Sequence, residues 1–196
     1  MTIHEHVVAA RSRLEHAGIE TGNAGIDAEV LARHALGWNR AYYFSHRHDV
    51  PHLSFDSCFE NLIARRERRE PLAFITGTRE FWSLQFDVSE GVLIPRPETE
   101  IIVKTVLDTI PDRTASFRIV DVGTGSGCLA VSLATEFPNA QVLATDVSRA
   151  AIEIAKRNIA KNDLAGRIEC RHTSFLAGVE ESIEVVVSNP PYIPTN

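Results

Sequence analysis

Phe117-Arg118-Ile119-Val120-Asp121-Val122-Gly123-Thr124-Gly125-Ser126-Gly127 is the stretch whose reading decides the fold. A strand-like run, Phe117 to Val122, enters a glycine-rich loop that opens a helix from about Leu129 to Phe137. Glycine lets a backbone take positive φ and lets a ligand come close to the chain. The spacing Gly-x-Gly-x-Gly differs from the Gly-x-Gly-x-x-Gly of dinucleotide sites, and no Lys-Ser or Lys-Thr follows as in a P-loop. A ribose and an amino-acid tail suit such a loop better than a pyrophosphate. Asp121, Gly123, Thr124, Gly125, Ser126 and Gly127 are therefore candidate cofactor-binding residues, although a plain strand-to-helix turn would use the same glycines.

Downstream, strand-like and helix-like segments alternate. Ala140 to Thr145 reads as a second strand, Ala150 to Lys161 as a helix with Ile152, Ala155 and Ile159 on one face, and Arg167 to Arg171 as a third strand. Ile183 to Val187, nearly all apolar, reads as a fourth strand buried on both faces. This alternation predicts an α/β domain with a parallel, doubly wound, Rossmann-like sheet over residues 98–196. In such a sheet ligands bind beyond the carboxyl ends of the strands, where the strand order reverses. Two further motifs fall at that rim. Asp146 follows the second strand, where a carboxylate accepts hydrogen bonds from both ribose hydroxyls, each worth roughly 1.5–3 kcal/mol; capping of the next helix by Asp146 or Ser148 is the competing reading. Asn189-Pro190-Pro191-Tyr192 follows the fourth strand. Proline ends that strand and keeps Asn189 out of the helical region.

These residue types suit methyl transfer to the nitrogen of a planar amide or amino group. The lone pair of such a nitrogen is delocalised, while the sulfonium of S-adenosylmethionine is already a strong electrophile, so the protein must mainly orient the nitrogen. Asn189 would accept one N–H with its side-chain oxygen and contribute to the cofactor pocket. The Pro190 carbonyl would accept the second N–H, and Pro191 and Tyr192 would line the planar group. Two such bonds favour a pyramidal nitrogen aimed at the methyl group, and alignment of this kind supplies several kcal/mol, on the order of 7 or more in well-oriented systems. Asparagine is no general base at neutral pH, so the proton leaves after transfer.

Upstream, residues 1–75 read as a small helical domain. Val7, Val8, Ala10, Leu14 and Ala17 form one stripe ended by Gly18, and Asp27 is expected to cap a second helix that Gly37 stops. Phe59, Leu62 and Ile63 form a third stripe, leading into Arg65-Arg66-Glu67-Arg68-Arg69-Glu70, read as a solvated helix face rather than an RNA contact. Residues 76–97 read as a linker built on a β-hairpin, with Trp82, Leu84, Phe86 and Val88 alternating before the stiff Pro95-Arg96-Pro97 connector. With 20 Lys+Arg against 26 Asp+Glu, the net charge of −6 argues against direct nucleic-acid binding. Cys58, Cys128 and Cys170 are scattered, and neither a signal peptide nor an apolar run of roughly 18 residues is present, which predicts a soluble cytoplasmic protein without membrane contact. His46 and His48 lack accompanying ligands, so no metal site is expected. Trp38 and Trp82 read as packing residues.

Asn189-Pro-Pro-Tyr192, the loop from Asp121 to Gly127, Pro71-Leu-Ala-Phe-Ile-Thr-Gly77, Glu80-Phe-Trp82 and Ile94-Pro-Arg-Pro-Glu-Thr-Glu100 together resemble the HemK/PrmC-type glutamine-N5 methyltransferases. The resemblance implies S-adenosylmethionine as cofactor. It also implies a peptide-chain release factor as partner and substrate, methylated on the glutamine of its Gly-Gly-Gln motif, with the N-terminal domain in substrate recognition. Two departures stand out. Thr173-Ser174-Phe175 replaces the family's Asp-Trp-Phe near the adenine, and the family continues past Asn196 with further strands, so the sheet is expected to be incomplete at its C-terminal end. The competing functions are a nucleic-acid adenine-N6 or guanine-N2 methyltransferase, since Asn-Pro-Pro-Tyr suits a flipped base equally well, and a cofactor-binding or partner-binding pseudoenzyme.

Overall fold

The first helix is set by its cap. In the computed structural model, which describes residues 1–190, the Thr2 hydroxyl accepts the Glu5 N–H and the Glu5 carboxylate accepts the Thr2 N–H. This reciprocal pair satisfies two donors that a helix start leaves open. Helix α1 (Ile3–His16) then buries Ile3, Val7, Ala10 and Leu14. Helix α2 (Thr21–Leu36) ends at Gly37, which takes the left-handed conformation with φ 66°. It begins six residues before Asp27, so Asp27 is no cap: it is buried within the helix and accepts from Arg66 Nε at 2.7 Å. A short helix α3 (Arg40–His46), capped by Asn39, lies where the sequence shows no apolar stripe. Helices α4 (Ser54–Glu67) and α5 (Leu72–Thr76) complete the unit Met1–Thr76, whose core gathers Leu14, Leu31, Phe55, Phe59 and Ile63. The arginine run is partly internal to this unit. Arg65 pairs with Glu70, and Arg66 reaches Asp27 and the Glu70 carbonyl, so these two are structural ties rather than a solvated face.

The second unit begins at Gly77. Strands β1 (Thr78–Phe81) and β2 (Leu84–Asp87) pair antiparallel. Trp82 sits in the turn between them rather than in a strand, and it and Ser83 have φ of 52° and 59°. Positive φ at both positions marks the type I′ two-residue hairpin turn, whose twist matches that of its strands. Two carboxylates hold it there: Glu100 accepts the Trp82 backbone N–H at 3.0 Å, and Glu136 accepts its indole N–H at 2.7 Å. Past the hairpin, a 3-10 turn (Pro97–Thr99) leads into helix α6 (Glu100–Thr109).

The chain then alternates through β3 (Arg118–Val122), α7 (Cys128–Glu136), β4 (Gln141–Asp146), α8 (Arg149–Lys161), β5 (Ile168–His172) and β6 (Val185–Ser188). The four strands of this sheet are parallel, in the order β5-β4-β3-β6. Ile119, Val142, Ala144, Ile168 and Val187 face one core shared with α6, α7 and α8 and with Phe81 and Phe86 of the hairpin. Residues 76–97, read from sequence as a linker, thus place their hairpin in the core of this unit. β6 differs from the expectation of burial on both faces. Val187 is buried, but Val186 points away from that core and is 57% exposed, because β6 is the outermost of the described strands and its side chains alternate.

Asn158 of α8 locks the hairpin to the sheet. Fully buried, it accepts the Asp87 N–H at 2.7 Å and donates to the carbonyls of Asp87 at 3.0 Å and Ser126 at 2.8 Å. The carboxamide is used at both ends. Asn158→Ala removes all three bonds and leaves their backbone partners without replacement, so unfolding free energy should fall by roughly 2–4 kcal/mol. Chemical denaturation measures this, and a loss below about 1 kcal/mol would show that water replaces the amide.

Candidate functional site

Strand register brings the motifs together. Val122 pairs with Thr145 on one side and with Ser188 on the other. The next residue in each segment is Gly123, Asp146 or Asn189, so all three stand at one level at the ends of neighbouring strands, with Asp146 still paired to His172 of β5. This is also where the order reverses, with β4 and β6 flanking β3.

The loop is built in two tiers. Gly123 and Thr124 both donate their N–H to the Thr145 carbonyl at 2.9 Å, and Gly125 N–H donates to Asp146 Oδ2 at 3.0 Å. Gly123 is exposed and Gly125 half-buried, while Asp121, Thr124, Ser126 and Gly127 lie underneath. Gly123 has φ 72°, and a Cβ there would project into open space with nothing within 4 Å. The backbone there faces open space, which leaves room for a ligand's close approach. Gly127 is glycine for a different reason: a Cβ would stand 3.2 Å from that of Ala155, where α8 backs the loop.

Asp121 is 1% exposed and works from below. Its Oδ2 accepts the Thr124 hydroxyl at 2.6 Å and the Ala130 N–H at 3.2 Å, tying the loop to α7. Burial pushes its carboxyl up to about 6, against the lowering effect of those two bonds. Its place is thus beneath the loop rather than on its open face. Cys128 opens α7, but burial, with the Asp121 charge adding to it, pushes its thiol up to about 12, so it supplies no thiolate.

At the end of β4 the capping reading falls on Ser148 rather than on Asp146. Ser148 caps α8 by accepting the Ala151 N–H. Asp146 accepts from Gly125 N and, through Oδ1, from Ser148 N at 2.8 Å. A carboxylate has about four acceptor sites, so two backbone bonds leave capacity for a pair of ribose hydroxyls. The Thr173 N–H donates to the Asp146 carbonyl at 3.0 Å, which brings Thr173-Ser174-Phe175 alongside this acid. The residues present fit the nucleoside and the amino-acid tail of S-adenosylmethionine.

On the other side of β3, Ser188 Oγ donates to the Val122 carbonyl at 2.8 Å and pins the end of β6. Asn189 Nδ2 donates to Thr99 Oγ1 at 2.9 Å, and Pro190 is exposed. Pro191 and Tyr192 lie outside the described residues. Thr99 and Asn158 escape the sequence reading because each acts across long separations, 90 residues for Thr99–Asn189 and 71 for Asn158–Asp87, with no local pattern to mark it. A cavity of about 420 Å³ at the opposite, amino ends of the strands is lined by Arg118, Gln141, Ile168, Glu181 and Ile183 and contains none of the motif residues. Among the described residues no group of three or more His, Cys, Asp or Glu could hold a metal, and no helix is long and apolar enough to cross a membrane.

A parallel sheet with a Gly-x-Gly-x-Gly loop and an acid at the end of the adjoining strand defines the Rossmann-like fold of S-adenosylmethionine-dependent methyltransferases. Similarity to known proteins narrows the class. The family described as "Methyltransferase small domain" matches residues 98–195, and "PrmC N-terminal domain" matches residues 5–77. The release factor glutamine methyltransferase of Koribacter versatilis (strain Ellin345) is 39% identical over 195 residues, covering 98% of this chain and 68% of the relative. That of Burkholderia pseudomallei (strain K96243) is 42% identical over 174 residues, covering 86% of this chain and 61% of the relative. The solved METTL16 MTase domain superposes with a TM-score of 0.50 at 25% identity, covering 68% of this chain and 55% of that one. The chain belongs to the release factor glutamine methyltransferase family, and it spans roughly two thirds of the length of these two curated relatives.

The Asp121 carboxyl gives the loop a pH signature. A carboxyl raised on folding contributes stability that is full below the ordinary aspartate range, near 4, and is lost as pH rises through about 6. Asp121→Asn removes that loss. From pH 4 to pH 7 the variant should therefore gain on the unsubstituted protein by about 2 kcal/mol in unfolding free energy. Parallel pH profiles for the two proteins would contradict an aspartate held in this state.

Proposed function

We propose that this chain transfers a methyl group from S-adenosylmethionine to the side-chain N5 of the glutamine in the Gly-Gly-Gln motif of a peptide-chain release factor. The observation that carries the reading is the common register of Gly123, Asp146 and Asn189 around Val122. Family membership supplies the substrate. When bound, the cofactor supplies an electrophilic methyl group. The open face at Gly123 and Gly125 would take its methionine part, and Asp146 its ribose.

Asn189 would accept one N–H of the glutamine amide with its side-chain oxygen, and the Pro190 carbonyl the other. Pro191 and Tyr192 would flank the planar amide. None of these groups removes a proton before transfer, so their contribution is orientation. The helical unit Met1–Thr76, which contains the match to the PrmC N-terminal domain, would recognise the release factor in the cytoplasm. Two features favour a protein substrate over nucleic acid. The net charge is −6, and Arg65 and Arg66 are engaged in pairs within their own unit.

The test is mass spectrometry of a release factor incubated with the protein and S-adenosylmethionine. One added methyl on the Gly-Gly-Gln glutamine is expected, and Asn189→Ala should lower turnover at least about a hundredfold through lost alignment. Unchanged turnover would remove the clamp. Asp146→Ala should weaken cofactor binding by roughly a hundredfold or more, the worth of two charge-assisted hydrogen bonds. Calorimetry reads this directly, and an unaltered isotherm would place the ribose elsewhere.

A further inference from the structure

Ile94-Pro-Arg-Pro-Glu-Thr-Glu100 has no task in the proposed function, yet it reaches the centre of the site. Thr99 ends the 3-10 turn and is only 6% exposed. Its backbone N–H donates to the Arg96 carbonyl at 2.9 Å, and its Oγ1 receives the Asn189 Nδ2–H at 2.9 Å. Its neighbour Glu100 accepts the Trp82 N–H at 3.0 Å, which fastens the start of α6 to the hairpin turn. Four residues after Thr99, Val103 is fully buried in the core of the unit. The hydroxyl is therefore carried by backbone anchored on both sides.

A carboxamide is lopsided, because its oxygen end accepts and its nitrogen end only donates. Half a turn about its last bond exchanges the two ends within nearly the same volume. The nitrogen of a substrate amide presents N–H donors. Only the oxygen end of Asn189 binds such a group, since the nitrogen end would set donor against donor.

We propose that Thr99 is a positioning residue that fixes the orientation of the Asn189 carboxamide: by taking the Nδ2–H it commits the nitrogen end to the protein and turns the oxygen end toward the substrate nitrogen. Thr99 acts only through Asn189. The assignment rests on the methyl-transfer reading above and deepens it. The same bond satisfies a hydroxyl that burial would otherwise leave unpaired, so its geometry is held by the interior as well as by the site.

Two measurements on the full chain separate this assignment from the reading beneath it. The first needs neither cofactor nor substrate. The side-chain NH2 resonances of Asn189, identified by their loss in Asn189→Asp, should move in Thr99→Val and stay near their original positions in Thr99→Ser. An unmoved NH2 pair accompanied by a shifted side-chain carbonyl resonance would mean that the hydroxyl donates to Oδ1, and would overturn the proposed orientation. An unmoved pair with an unmoved carbonyl would overturn the contact altogether.

The second is steady-state methylation of a release factor. Thr99→Val should lower kcat by about tenfold to a hundredfold, with KM for S-adenosylmethionine within about twofold. Thr99→Ser should restore most of the rate, and equal kcat in Thr99→Val and the unsubstituted protein would overturn the positioning role. Thermal melting checks that the variants fold. If Thr99→Val does not, Thr99→Ala removes the same acceptor without a new methyl and serves in both measurements. A protein that transfers no methyl group at all would sink the proposed function, while the resonances would still decide how Thr99 orients Asn189.

Discussion

The end of β3 is the constraint on which the rest of the second unit depends. Because Val122 stands opposite both Thr145 and Ser188, three strands end close to one level. Side chains alternate along a strand, so a slip of one residue would exchange the buried and outward faces and move Asp146 or Asn189 out of level with Gly123. Burial forbids that slip. Ile119, Val142, Ala144 and Val187 all face the core shared with the helices, and a shift in any strand would turn its apolar set outward. Hydrophobic packing at the middle of the sheet thereby sets the spacing of polar groups at its rim.

Packing alone leaves the loop and connectors undetermined, and here the interior turns polar. Asp121 ties Thr124 to α7, Asn158 ties the hairpin and the Ser126 carbonyl to α8, and Thr99 ties the connector to Asn189. Each is a directional bond removed from water, where a missing partner costs more than the bond contributes. Such ties specify one arrangement in a way that non-directional apolar contact does not. Asp121 shows the cost: its Oδ1 is buried without a partner among the described residues, and its carboxyl is correspondingly reluctant to ionise.

Local pattern made part of this legible in the sequence. The glycine loop, the alternation that follows it and the rim acid at Asp146 each depend on neighbours within a few residues, and their elements lie within about three residues of where the sequence places them. Where a signal had two local causes, sequence could not separate them. Asp27 has the composition of a helix cap yet is the partner of Arg66, 39 residues away, and Trp82 reads as the first residue of an alternation whose strand begins only at Leu84, after the turn. Helix α3 lacks an apolar stripe and is announced only by Asn39. Thr99 and Asn158 are visible only once the chain is folded, since nothing about a threonine in a proline-rich connector or an asparagine in an amphipathic helix marks its distant partner.

The polar ties also bear on how a site without a general base could work. If orientation is the whole contribution of Asn189, its worth depends on how little the carboxamide moves. The angular freedom of a side chain at the outermost described strand is limited mainly by what that side chain touches. Among the described strands β6 pairs only with β3, and it exposes Val186. Restraint on Asn189 comes in part from Ser188 Oγ on the Val122 carbonyl, and from a connector anchored by Glu100 to the Trp82 turn. That connector and that turn contain two of the motifs on which the family resemblance rests. Their position at the site follows from mechanics: a clamp at the end of a strand is as firm as the neighbouring backbone that holds it.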